Sequence, residues 1–96
     1  MRRAAERTLY VIAYDIGNDR RRTRVHKTLC GFGAWTQYSL FECHLDEREM
    51  VALRGRLDAE LEPEDSVRFY PLCAACVRKV ETLGSPPPEE LALFIV

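Results

Sequence analysis

The stretch from Thr8 to Asp15 constrains the fold more than any other part of the chain. Leu9, Val11 and Ala13 put apolar side chains on one face of an extended backbone, and Tyr10, Ile12 and Tyr14 put them on the other. A strand apolar on both faces belongs in the middle of a sheet. It closes on a carboxylate, Asp15, and the basic segment Arg20-Arg21-Arg22-Thr23-Arg24 starts just behind it. A carboxylate at a strand end can bind a hard divalent cation through oxygen. Arginines nearby can hold phosphate oxygens in bidentate fashion. Together they point to a protein that handles a nucleic-acid backbone near a metal ion.

The remaining elements follow from periodicity and punctuation. Gly17-Asn18-Asp19 is a turn in which Asn18 or Asp19 caps a helix running to about Phe32. Val25, Leu29 and Phe32 form its apolar stripe, Arg20, Arg24 and Lys27 fall off it, and Gly31 and Gly33 end it. The extended run from Trp35 to Leu45 is too long for one short strand and folds into two at about Tyr38-Ser39, without a Gly or Pro to mark the turn. Asp46 with Glu49 has capping-box spacing, and Met50, Leu53, Leu57 and Leu61 repeat behind it, giving a second helix over 47–61. Ser66 to Leu72 reads as a strand with Pro71 near an edge, and a further short strand is expected from about Arg78 to Leu83. Gly84 and Pro86-Pro87-Pro88 then form a stiff linker to an apolar terminal segment, Leu91 to Val96. The order β-α-β-β-α-β, with both helices on one face of an antiparallel sheet, predicts an α+β sandwich of the ferredoxin-like kind. Residues 1–83 make the domain and 84–96 the linker and terminal strand.

A chain of 96 residues leaves much of its surface exposed and often gains stability by pairing with a second copy. No apolar run is long enough to cross a bilayer, and residues 1–7 lack the pattern of a signal peptide, so a cytoplasmic protein without a membrane partner is expected. The net charge of −1 hides an asymmetry. Residues 1–30 hold eight Lys/Arg against three acids, while residues 31–96 hold six against twelve. That places a basic surface on an acidic remainder. The four cysteines, Cys30, Cys43, Cys73 and Cys76, are expected to be reduced. Only Cys73 and Cys76 have ligand-like spacing, and they supply two ligands where zinc takes four, so a structural role is the first reading, with a metal site shared by two copies and a redox pair behind it.

Asp15 alone is a poor cage for magnesium, which is usually bound by one or two carboxylates with water and phosphate; two copies in a dimer would supply a pair. Adjacent arginines on a helix diverge, so Arg20, Arg21, Arg22 and Arg24 cannot all serve one phosphate. His26 could act as a general base, although partly buried packing is the commoner role. Tyr14 and Phe41 sit at strand positions suited to packing or to base stacking.

Tyr14-Asp15-Ile16 at the strand end, arginines at 22 and 24, Gly33, and then Gln37-Tyr38-Ser39-Leu40-Phe41-Glu42 resemble the second universal CRISPR adaptation protein family. These are small dimeric CRISPR-associated endonucleases that partner the CRISPR integrase. The resemblance spans about residues 8–83. It implies a ferredoxin-like fold, a homodimer with the C-terminal strand exchanged, and a divalent cation, magnesium or another, held by Asp15 of both subunits. It implies that Arg22, Arg24 and Phe41 support cleavage alongside Asp15, and that Arg20, Arg21, Arg22, Arg24 and Lys27 contact RNA or duplex DNA. Trp35 departs from the pattern, standing where some nuclease-active members carry a basic residue. Two readings follow: a metal-dependent endonuclease of spacer acquisition in antiviral defence, or a non-catalytic dimeric scaffold that binds duplex DNA and bridges integrase subunits.

Overall fold

The computed structural model describes residues 6–84. In chain order it contains β1 (Thr8–Asp15), α1 (Asp19–Cys30), β2 (Ala34–Gln37), β3 (Leu40–Leu45), α2 (Glu47–Glu60), β4 (Ser66–Leu72) and α3 (Ala74–Arg78). The four strands form one sheet in the order β2-β3-β1-β4. Every pairing is antiparallel, with β1 central between β3 and β4. This is the expected ferredoxin-like arrangement. Among the described residues no helix is long and apolar enough to cross a membrane.

Local chemistry fixes the helices. Asn18 is the N-cap of α1, its side-chain oxygen accepting the Arg21 N–H at 2.9 Å. The helix stops at Cys30, two residues before the expected end. Asp46 and Glu49 form a complete capping box on α2, each side chain accepting the other residue's backbone N–H. Such a cap contributes about 1 kcal/mol. Val25 and Leu29 of α1 and Met50, Leu53 and Leu57 of α2 pack against Ile12, Tyr14, Phe41, Cys43 and Leu45 of the sheet. Thr28, buried between the helices, donates its hydroxyl proton to the Glu60 carboxylate at about 3 Å, a partner that burial demands.

The hairpin joining β2 to β3 does turn at Tyr38-Ser39. Tyr38 takes a left-handed backbone conformation, φ 47°, where a glycine would be usual. Side chains brace it: the Trp35 indole N–H donates to the Tyr38 carbonyl at 2.8 Å, and the Thr36 hydroxyl donates to the Leu40 carbonyl at 3.1 Å. Gly33, just before β2, is required for close approach. A Cβ there would lie 2.3 Å from Cys43 Sγ and 2.5 Å from the Glu42 carbonyl oxygen.

One expectation is overturned. No strand runs from 78 to 83; the chain instead forms the short helix α3 directly after β4. Ala74-Ala75, strong helix formers, begin that helix, and residues 79–83 beyond it have no regular secondary structure. The proline linker and the terminal strand 91–96 lie outside the described residues.

Both long helices cover the same face of the sheet. The other face carries Leu9, Val11 and Ala13 of β1, His44, Glu42 and Leu40 opposite them on β3, and Leu72, Tyr70 and Arg68 on β4. So β1 is apolar on both sides as expected, yet neither α1 nor α2 covers this second side. Only its Leu9 end is buried, where α3 follows β4.

Candidate nucleic-acid interface

Asp15 ends β1 opposite Ser66 and shares the open face with Leu9, Val11 and Ala13. It is exposed, and its carboxylate makes no hydrogen bond or ion pair with any described residue. Among the described residues no three His, Cys, Asp or Glu side chains gather as a metal site. A hard cation therefore fits Asp15 only with a carboxylate from a second copy, or with water and phosphate completing the shell.

The arginines behind it divide into three roles. Arg22 turns back on the β1–α1 connection, donating to the Ile16 carbonyl at 2.9 Å and to the Asp19 carboxylate. Its guanidinium thus holds the backbone immediately after Asp15. Arg21 points the other way and is bound by two acids, Asp65 at 2.7 Å and Glu64 at 3.0 Å. That corrects its expected place in a nucleic-acid surface, because its Nε and Nη2 donors are engaged by these two carboxylates. Arg20, Arg24 and Lys27, spaced by four and three, lie on one exposed stripe opposite the buried Val25 and Leu29.

Phe41 also needs correction. It has no exposed surface and packs against His26, with ring centroids 5.0 Å apart edge to face, and against Tyr14 at 6.3 Å. It cannot touch a substrate and instead fixes those two rings. The Tyr14 hydroxyl and His26 Nδ1 share a hydrogen bond at 3.2 Å. Burial pushes the Tyr14 phenol up, against the opposing pull of the Arg22 charge. His26 is thus partly buried and packed, as the commoner reading of the sequence had it.

Tyr14, Arg22, His26, Lys27, Tyr38 and Ser39 line an open cleft of about 440 Å³ between α1 and the hairpin turn. Lys27, Arg22 with its charge paired to Asp19, and the hydroxyls of Tyr14, Tyr38 and Ser39 line it, a composition suited to a phosphate. At its rim stands Tyr38, 87% exposed. Sequence reasoning passed over Tyr38. The available signal was an aromatic residue at a two-residue turn, where packing gives no reason for one.

Residues 8–80 match the family model described as CRISPR associated protein Cas2, from the first residue of β1 past the end of α3. The chain belongs to the Cas2 family. A Synechocystis relative named CRISPR-associated endoribonuclease Cas2 3 is 46% identical over 80 residues, covering 82% of this chain and 87% of that one. A Thermus thermophilus relative named CRISPR-associated endonuclease Cas2 2 is 42% identical over 84 residues, covering 86% and 89%. The crystal structure of Streptococcus pyogenes Cas2 superposes with a TM-score of 0.70 at 33% identity, over 79% of this chain and 99% of that one. The ferredoxin-like sheet with its two helices is therefore the Cas2 fold. The departure at Trp35 has a structural explanation within it, since the indole braces the hairpin turn.

Proposed function

We propose that this Cas2-family chain is a metal-dependent endonuclease that cuts phosphodiester bonds in RNA or duplex DNA. It works as a homodimer alongside the CRISPR integrase in spacer acquisition. The observation that carries this reading is Asp15, an exposed carboxylate without a side-chain partner among the described residues, at the end of the central strand and on the sheet face that α1 and α2 leave open. A two-fold pairing through that face covers Val11, Ala13, Leu40 and Tyr70, and makes Asp15 of both copies part of one interface. One carboxylate from each copy suits magnesium, with water and phosphate oxygens as the other ligands. Such a cation, when bound, polarises a phosphoryl oxygen and activates water toward phosphorus.

The protein's own residues supply position. Arg22 fixes the turn behind Asp15, and so acts as a positioning residue. Arg20, Arg24 and Lys27 hold phosphates along α1, and Tyr38 offers a ring on which a base can stack. Phosphate contacts of this kind carry little sequence information, so cutting should be weakly specific. Relatives named endoribonuclease and endonuclease support the activity.

A scaffold that binds duplex DNA and bridges integrase subunits is the second reading. It is favoured by the engagement of Arg22 with the Ile16 carbonyl and Asp19 and by the burial of Phe41, two residues that the family resemblance links to cleavage. Labelled single-stranded RNA and duplex DNA, incubated with the purified dimer and magnesium or EDTA, separate the two. Metal-dependent cutting supports the enzyme, and intact nucleic acid with tight, salt-sensitive binding supports the scaffold.

A further inference from the structure

Cys73 and Cys76 take no part in the reading above. Cys73 is the N-cap of α3 and Cys76 lies three residues on, in its first turn. Both thiols are reduced and exposed. Residues three apart at a helix start are roughly 5 Å apart at Cα by helix geometry. Disulfides span Cα separations of about 4.4–6.8 Å. The pair can therefore close without moving the backbone.

The two sulfurs are not equivalent. The Cys76 main-chain N–H first, and the Cys76 thiol second, hold the Cys73 thiol below its ordinary value. Donation toward Cys73 raises the Cys76 thiol in turn. Cys43 is the contrast: burial pushes it up to about 12, which makes it inert. Cys73 also opens onto a cleft of about 610 Å³ shared with Arg7, Leu9, His44, Leu72 and Arg78. Arg7 is paired with Glu49 there, while Arg78 makes no ion pair with a described residue and gives the cleft a cation for an anionic partner.

We propose that Cys73 and Cys76 form a redox-active dithiol that reacts with small anionic disulfides, with Cys73 as the attacking sulfur. The Cys73 thiolate attacks one sulfur of the disulfide, forms a mixed disulfide and releases the first thiolate. Cys76 then loses its proton to the released thiolate and attacks Cys73 Sγ. The second thiolate leaves, takes up the proton originally lost by Cys73, and the Cys73–Cys76 disulfide closes. The small disulfide is reduced to two thiols while the protein dithiol is oxidised. A zinc site is the weaker use of this pair, since two thiolates supply half a tetrahedral shell and no third ligand joins them among the described residues.

The test uses the purified full chain, oxidised glutathione at neutral pH, and mass spectrometry of digested peptides. The proposal expects loss of both thiols at 73 and 76 with an intramolecular disulfide between them, while Cys43 stays a thiol. Cys76→Ser should stop at a glutathione adduct on Cys73, and Cys73→Ser should leave Cys76 largely unmodified. The wild-type measurement stands even if a variant folds poorly. Persistence of both thiols in the wild type overturns the proposal, as does equal modification of Cys76 in Cys73→Ser. Stoichiometric zinc that protects both thiols until it is chelated also overturns it, in favour of a metal site.

Discussion

Arg21 Nε donates to Asp65 Oδ2 at 2.7 Å, and Nη2 donates to Oδ1 at 3.2 Å, so the first turn of α1 is clamped to the turn that precedes β4. The Asp65 side chain has no exposed surface, and its Oδ2 also accepts the Glu62 N–H. Because Ser66 pairs with Asp15, this clamp sets the end of β4 beside the candidate cation ligand. Arg21 therefore supports the site from behind.

Asp65→Asn should lower the melting temperature at neutral pH. Arg21 first, and the Glu62 N–H second, hold the Asp65 carboxyl below its ordinary value of 3.8. A depressed carboxylate contributes stability that is fully present above its unfolded value and is lost as pH falls through the folded one. Thermal melts across pH should thus show wild type and variant separated at neutrality and converging in acid. A constant gap at all pH values would contradict the assignment.

Gly33→Ala should destabilise the domain by about 1–3 kcal/mol, the range for forcing a methyl into a packed site. The new Cβ meets Cys43 Sγ and the Glu42 carbonyl, and main-chain atoms of β3 cannot give way easily. Denaturant titration measures the loss directly.

Tyr38→Gly should separate folding from binding. The left-handed turn costs a non-glycine residue, so the variant should gain roughly 0.5 kcal/mol in stability after glycine's own entropy cost. If Tyr38 stacks on a base, single-stranded RNA should bind more weakly by about 1–3 kcal/mol. Chemical denaturation and fluorescence anisotropy provide the two readouts.

Much of this architecture was legible in the residues. A run apolar on both faces marked β1, apolar spacing marked both long helices, and Asp46 with Glu49 announced the capping box that the structure contains. The hairpin was harder, because Tyr38 occupies a conformation that sequence rules assign to glycine and is kept there by Trp35 and Thr36. The strand expected over 78–83 is not formed, since α3 extends to Arg78 and residues 79–83 carry no regular structure. The site was legible as composition but not as geometry. Four arginines in a row of five look alike in sequence, and only tertiary contacts turn Arg21 toward Asp65, Arg22 toward Ile16, and Arg20 and Arg24 outward. Phe41 could not be told from a stacking residue without knowing which face of β3 the helices cover.

Arg20→Ala combined with Arg24→Ala should weaken duplex and single-stranded binding by similar factors across sequences. Each lost phosphate contact should reduce the slope of log affinity against log salt by about 1. Arg21→Ala should lower stability and leave that slope unchanged. Binding isotherms at several salt concentrations, read beside thermal melts, distinguish these effects.

The most direct measurement of the central claim is cleavage of labelled RNA and duplex DNA by wild type and Asp15→Ala, each with magnesium and with EDTA. Asp15 is exposed and its carboxylate makes no hydrogen bond or ion pair with a described residue, so the variant should keep its melting temperature. The account predicts metal-dependent cutting by wild type that falls by about 100-fold or more in the variant, the scale of losing a principal transition-state interaction. Equal metal-dependent cutting by both proteins would contradict it.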